Sequence, residues 1–106
     1  MIMAGVANHS SLSIQLLGRP RISSSDGPVY EFRSRKSWAV LAYLILSERV
    51  PSRSQLASLL YGDADDPGGA LRWNLTEIRH AVGEHGSVDG DPVDLQLSDQ
   101  VTLMLT

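Results

Sequence analysis

The sequence contains no cysteine among its 106 residues, which excludes a disulfide framework and a thiolate metal site. Its longest apolar run, residues 38–46, has nine residues, whereas a membrane-spanning helix needs about 20. Residues 1–11 have no basic group ahead of their apolar residues, so no secretory signal peptide is expected. These absences favour a cytoplasmic protein of bacterial type.

Basic residues are also scarce, and they are unevenly spread along a chain of net charge −3. Residues 33–82 hold seven basic groups against five acidic ones, whereas residues 83–106 hold five acidic groups and no Lys or Arg. Affinity for a polyanion follows the local patch of charge and not the total. A nucleic-acid contact, if present, is therefore expected in the middle of the chain.

The composition, 42% apolar and 20% charged, is that of a single small globular domain. We predict a domain over residues 12–106 after a flexible arm over residues 1–11. Residues 12–16 alternate between apolar and polar side chains, the period of a half-buried strand. Two shorter strands, at residues 21–23 and 29–32, are expected to form an antiparallel sheet with the first, around an Asp-Gly turn.

Three helices are predicted after these strands. The first begins at Ser34 and is apolar on most sides, which is typical of a central helix with Trp38 in the core. The second begins at Ser52, whose spacing to Gln55 is that of a capping box. The third covers residues 67–82, with an Asp-Pro pair at its start and glycines after its end.

Two alternating segments near the C-terminus, residues 93–97 and 101–105, predict a terminal hairpin that turns at residues 98–100. The last two helices resemble a helix-turn-helix. Strands, three helices and a closing hairpin are the layout of an α+β winged helix-turn-helix.

The third helix carries the candidate DNA-binding residues. Its apolar residues fall within about 60° of one another at 100° per residue, which predicts the buried face: Leu71, Leu75, Ile78 and Val82. Asn74 lies near the apolar boundary and is a weaker candidate. The remaining side is expected in the major groove, where Arg can bind guanine or phosphate and Thr can contact a thymine methyl. With Arg53 of the second helix, the candidates are Arg72, Trp73, Thr76, Arg79 and His80.

The same residues also fit roles without DNA. Arg72 and Arg79 can simply solvate a helix exterior, with Glu77 as a surface partner, and Trp73 can cover a neighbouring loop. Exposed large aromatic side chains nevertheless tend to mark contact surfaces. The acidic loop with Asp63, Asp65 and Asp66 likewise fits a solvated cap at the positive end of the third helix.

Three segments resemble a known family. SRKSWAVLAYL (residues 34–44), VPSRSQLASLLY (50–61) and ALRWNLTEIRHAVG (70–83) resemble the three helices of the DNA-binding domain of antibiotic regulatory protein (SARP) activators. In this family that domain precedes a bacterial transcriptional activation domain. Leu16-Leu17-Gly18 is similar to the family's first strand, and the likeness runs over residues 12–105.

The resemblance implies a winged helix of the response-regulator output type that binds promoter DNA, commonly at direct repeats, as part of an activator. It implies that Arg72, Thr76 and Arg79 face DNA, and that the loop over residues 61–69 contacts RNA polymerase. Homodimers on DNA would fit tandem sites. Two departures, Glu77 in place of a basic residue and a hairpin without Lys or Arg, imply weak affinity of the isolated domain.

Two other classes of function compete with DNA binding. A winged helix that has lost DNA binding and serves as a protein-interaction module fits the acidic C-terminal quarter. An enzyme is not expected, because His80, Glu84 and His85 lack the spacing of a zinc protease and no nucleophile or phosphate-loop motif occurs. No cofactor and no metal site are predicted.

Overall fold

The computed structural model describes residues 11–25, 27 and 29–104. Within them the chain is an α+β fold with three helices, a mixed sheet and a separate hairpin. The predicted arm, apart from Ser11, lies outside the described residues, as do Asp26 of the predicted turn and Leu105 of the last strand. The elements are β1 (Leu12–Gln15), β2 (Arg21–Ser24), β3 (Val29–Tyr30), α1 (Arg35–Leu46), α2 (Arg53–Tyr61), α3 (Pro67–Val82), β4 (Gly86–Asp89), β5 (Asp94–Leu97) and β6 (Val101–Met104).

The larger sheet has the strand order β3-β2-β1-β6. β1 pairs antiparallel with β2, as predicted, and parallel with β6. Leu12 and Ile14 are buried while Ser13 and Gln15 are half-exposed, so the alternation in the sequence does mark the core face of this strand.

The predicted hairpin between residues 93–97 and 101–105 is wrong. β5 instead pairs antiparallel with β4, and β6 joins the edge of the N-terminal sheet, which is therefore mixed and not antiparallel. Alternation does not identify the partner strand, and in β6 it does not mark a buried face either, because Leu103 is exposed. Gly86, expected only to end a helix, begins β4, where a side chain would collide with the backbone carbonyl of Gln96.

Local capping chemistry sets the helix ends, as predicted for the second and third helices. The Ser34 hydroxyl accepts from the Lys36 N–H at the start of α1, and Ser52 and Gln55 form the capping box of α2. α3 begins at Pro67 and ends at Val82, and the next residue, Gly83, has a φ of 58° that favours glycine. None of the helices in the described part of the chain is long and apolar enough to cross a bilayer.

The buried residues form one core cluster, to which the larger sheet, the three helices and the β4–β5 hairpin all contribute, and α3 packs against α1, α2 and β4. Trp38 is only half-buried, although it was predicted to be in the core; its ring packs at 4.3 Å from that of Phe32. The fully buried large residues are Ile14, Ile22, Val40, Leu41, Leu56, Leu71, Leu75, Ile78, Val82, Val88 and Val93.

Candidate nucleic-acid interface

α3 buries one face and exposes the opposite one. Leu71, Leu75, Ile78 and Val82 are buried, as the periodicity predicts. The opposite side, here called the outer face, consists of Arg72, Trp73, Thr76 and His80. Three of these four side chains are exposed, and Trp73 is 78% exposed. The half-buried Thr76 donates its hydroxyl to the Arg72 carbonyl at 3.0 Å.

The outer face borders two open cavities, and Trp73 and Thr76 line both. One, of about 560 Å³, lies at the N-terminal end of α3 and includes Arg72 and Asp66. The Asp66 carboxylate caps the helix by accepting from the Gly69 N–H at 3.0 Å, and a side chain at Gly69 would collide with that carboxylate.

The second cavity, of about 540 Å³, separates α3 from the segment that joins β3 to α1. We call it the β3–α1 cleft. The side chains that line it are Tyr30, Arg33 and Ser34 on one wall and Trp73, Asn74, Thr76, Glu77 and His80 of α3 on the other.

Arg79 was expected to extend freely from α3 toward DNA, but its guanidinium is held by the hairpin. Its Nε and Nη2 both donate to the Val88 carbonyl, at 3.2 and 3.0 Å, and Nη2 lies 3.8 Å from an Asp89 carboxylate oxygen. The guanidinium thus joins α3 to the first strand of the β4–β5 hairpin.

Arg53 is held by the same hairpin. Its Nε donates to the Gly90 carbonyl at 2.9 Å, its backbone N–H donates to Asp91 at 2.9 Å, and Nη2 lies 3.9 Å from Asp89. The Val93 N–H also donates to the Pro51 carbonyl at 2.8 Å. The two arginines that were predicted to be free for DNA therefore fix the hairpin against α2 and α3.

Glu77, expected to be a surface partner of Arg79, points instead into a polar network between the helices. Its carboxylate accepts from the Arg33 N–H at 3.1 Å and from the Ser37 hydroxyl. Asn74 donates to the Ser37 Oγ at 2.9 Å and accepts from the Tyr61 hydroxyl. Ser37 is fully buried, and burial raises the pKa of Tyr61 to about 12. Neither Asn74 nor Glu77 is thus free to read a base.

The acidic loop is shorter than predicted. Tyr61 still belongs to α2, and α3 begins at Pro67, so the loop covers residues 62–66. Asp63, Asp65 and Asp66 are all exposed in this loop. Asp66 has the predicted capping role at the start of α3.

No family model matches the chain, and neither does any curated protein or solved structure.

Proposed function

We propose that this chain is a winged-helix domain that binds double-stranded DNA and belongs to a bacterial transcriptional regulator, with α3 in the major groove. The observation that carries the proposal is the outer face of α3. It presents Arg72, Trp73 and His80 to solvent, beside the half-buried Thr76, on a helix that α1, α2 and β4 hold in place. The order α2, loop, α3 and hairpin supports the winged-helix interpretation.

Each outer-face residue has a chemistry that suits a duplex. The Arg72 guanidinium can bind a guanine edge or a phosphate with two hydrogen bonds. The Trp73 ring and the Thr76 methyl can contact thymine methyl groups, and His80 can donate to a phosphate. With Arg53 and Arg79 committed to the hairpin, few cations remain, so we expect weak affinity from one protomer.

Weak affinity of one copy supports binding as paired protomers on direct repeats. The exposed acidic loop with Asp63, Asp65 and Asp66 fits a basic surface of RNA polymerase, because opposite charges guide association. Binding as paired protomers and contact with RNA polymerase are both proposed from the resemblance to the SARP activators. Together they favour the role of an activator.

A protein-interaction module is the second candidate. It is favoured by large apolar side chains exposed on α1 and α2, where Leu46 is 62% and Leu59 60% exposed and Tyr43 lies nearby. Exposed apolar side chains in proximity mark contact surfaces of proteins.

Selection of bound duplexes from a random pool at low salt tests the two candidates. We expect a recurrent sequence element with the unaltered chain, and an affinity for it that falls by about 1–3 kcal/mol with Arg72→Ala. The matched control is Arg19→Ala, which removes an exposed arginine that does not belong to α3 and that pairs with Glu31 at 3.6 Å. Absence of any enriched element would contradict DNA binding and favour the protein-interaction module.

A further inference from the structure

The β4–β5 hairpin is poorly suited to hold a DNA backbone. Residues 86–97 contain three aspartates and no Lys or Arg. The two nearest guanidiniums, of Arg53 and Arg79, already donate to hairpin carbonyls and lie within 4 Å of Asp89. A phosphate that approaches this hairpin therefore meets carboxylates, and guanidinium groups that are already hydrogen-bonded to the hairpin backbone.

The side of α3 that faces the β3–α1 segment differs from the hairpin side in its charge. Residues 29–36 contain three basic residues and one acidic residue. Of the basic residues, Lys36 already donates from Nζ to the Leu60 carbonyl, and Arg33 is the one that lines the β3–α1 cleft. Arg33 is exposed and lines the β3–α1 cleft together with His80, which is also exposed. The acidic residue in the cleft wall, Glu77, already accepts hydrogen bonds at both carboxylate oxygens, one of them from the Arg33 backbone N–H.

The cleft is continuous with the outer face of α3. Trp73, Thr76 and His80 belong to both surfaces. A duplex seated on the outer face can therefore extend over the cleft, where the exposed rings of Tyr30 and Trp73 present apolar surface on either wall.

We infer that the phosphate backbone beside α3 is bound from the β3–α1 cleft, through the side chains of Arg33 and His80, and not from the hairpin. This inference rests on the proposed function. It assigns to the hairpin a packing role against α2 and α3, and to the β3–α1 segment the flanking contact with DNA.

The salt dependence of duplex binding tests the inference without a known operator, because contacts to phosphate dominate binding to any sequence. The probe is a fluorescently labelled 20-base-pair duplex of arbitrary sequence, titrated at several NaCl concentrations. The variants are Arg33→Gln and Arg33→Lys in the cleft and Gln96→Lys at an exposed position of the hairpin. The control is Arg49→Gln, because Arg49 is exposed beyond the C-terminal end of α1, the end opposite Arg33.

Loss of one phosphate contact lowers the slope of log K against log[salt] by about 0.9 and weakens binding about eightfold at 0.1 M salt. We expect this for Arg33→Gln, recovery with Arg33→Lys, and no change for Arg49→Gln. Gln96→Lys should alter affinity by less than about twofold, because a surface charge remote from the duplex is largely screened.

An unchanged slope for Arg33→Gln would overturn the inference, and so would a slope steeper by about 0.9 for Gln96→Lys. In both cases the proposed function would stand as long as the unaltered chain binds the duplex in a salt-dependent manner. Absence of such binding by the unaltered chain would instead refute the proposed function. Far-UV circular dichroism before each titration checks that every variant is folded.

Discussion

Replacement of Asn74 by alanine tests the polar network that joins the three helices. Asn74 of α3 donates to the Ser37 Oγ of α1 at 2.9 Å and accepts from the Tyr61 hydroxyl of α2. Both hydrogen bonds are lost in Asn74→Ala, whereas Ser37 retains its bond to Glu77.

The expected loss of stability follows from these two bonds. Each contributes about 1 kcal/mol net, and a buried hydroxyl left without an acceptor costs about 1–3 kcal/mol. We therefore expect Asn74→Ala to lower the free energy of unfolding by about 2–3 kcal/mol. In a domain of this size, that lowers Tm by about 10–20 °C.

Urea and thermal unfolding, followed by far-UV circular dichroism, measure this loss for Asn74→Ala, Tyr61→Phe and the double variant. Both single changes remove the same hydrogen bond. The double variant should therefore lose less stability than the sum of the two single losses, by about 0.5 kcal/mol or more. Thr76→Ala is the control, because its hydroxyl bonds within α3 and should cost no more than about 0.5 kcal/mol. Additive effects, or an Asn74→Ala variant as stable as the unaltered chain, would refute the network.

Four other changes have defined outcomes. Burial raises the pKa of Tyr61 from its ordinary 10.0 to about 12, so the folded chain holds more protons than the unfolded chain between these values. The free energy of unfolding should therefore fall as pH rises from 10 to 12, and it should fall less for Tyr61→Phe. Urea unfolding at a series of pH values measures this, and an equal dependence on pH in the two proteins would contradict the prediction. Arg79→Ala removes both donors to the Val88 carbonyl and should speed amide hydrogen exchange in the β4–β5 hairpin about tenfold, while unchanged exchange would mean that the guanidinium does not hold it. Trp38→Ala should cost about 3 kcal/mol, at the low end for tryptophan because the ring is half-buried, and a cost below about 1 kcal/mol would contradict its packing. Addition of duplex DNA should change tryptophan fluorescence, and Trp73→Phe should abolish this change; its persistence would argue against contact by the outer face.

Helix positions were predictable because their signals are local. Ser34, Ser52 and Asp66 each cap a helix through a backbone N–H two or three residues away. The caps at Ser52 and Asp66 were predicted, and Ser34 was predicted as the start of its helix. The exposure of Trp73 was predictable for a related reason, since its angle around α3 is set by the helical period alone.

Partners that lie far apart in the chain were not predictable in this way. The pairing of β6 with β1 and the hydrogen bond from Arg53 to the Gly90 carbonyl depend on how the elements pack. One signal for the polar network was visible, because Ser37 precedes Val40 and Leu41 on the buried face of α1. A polar residue in that position requires a buried hydrogen-bond partner, but the sequence does not identify Asn74 and Glu77 as its partners.

The most direct test of the central claim, that the outer face of α3 meets duplex DNA, is a nuclear magnetic resonance titration of the ¹⁵N-labelled chain with the selected duplex. We predict shifts of the Arg72, Trp73 and Thr76 amides and of the Trp73 indole N–H, with the amides of Leu46 and Leu59 unchanged. Shifts confined to the apolar surface of α1 and α2, or no shifts on α3, would contradict the claim.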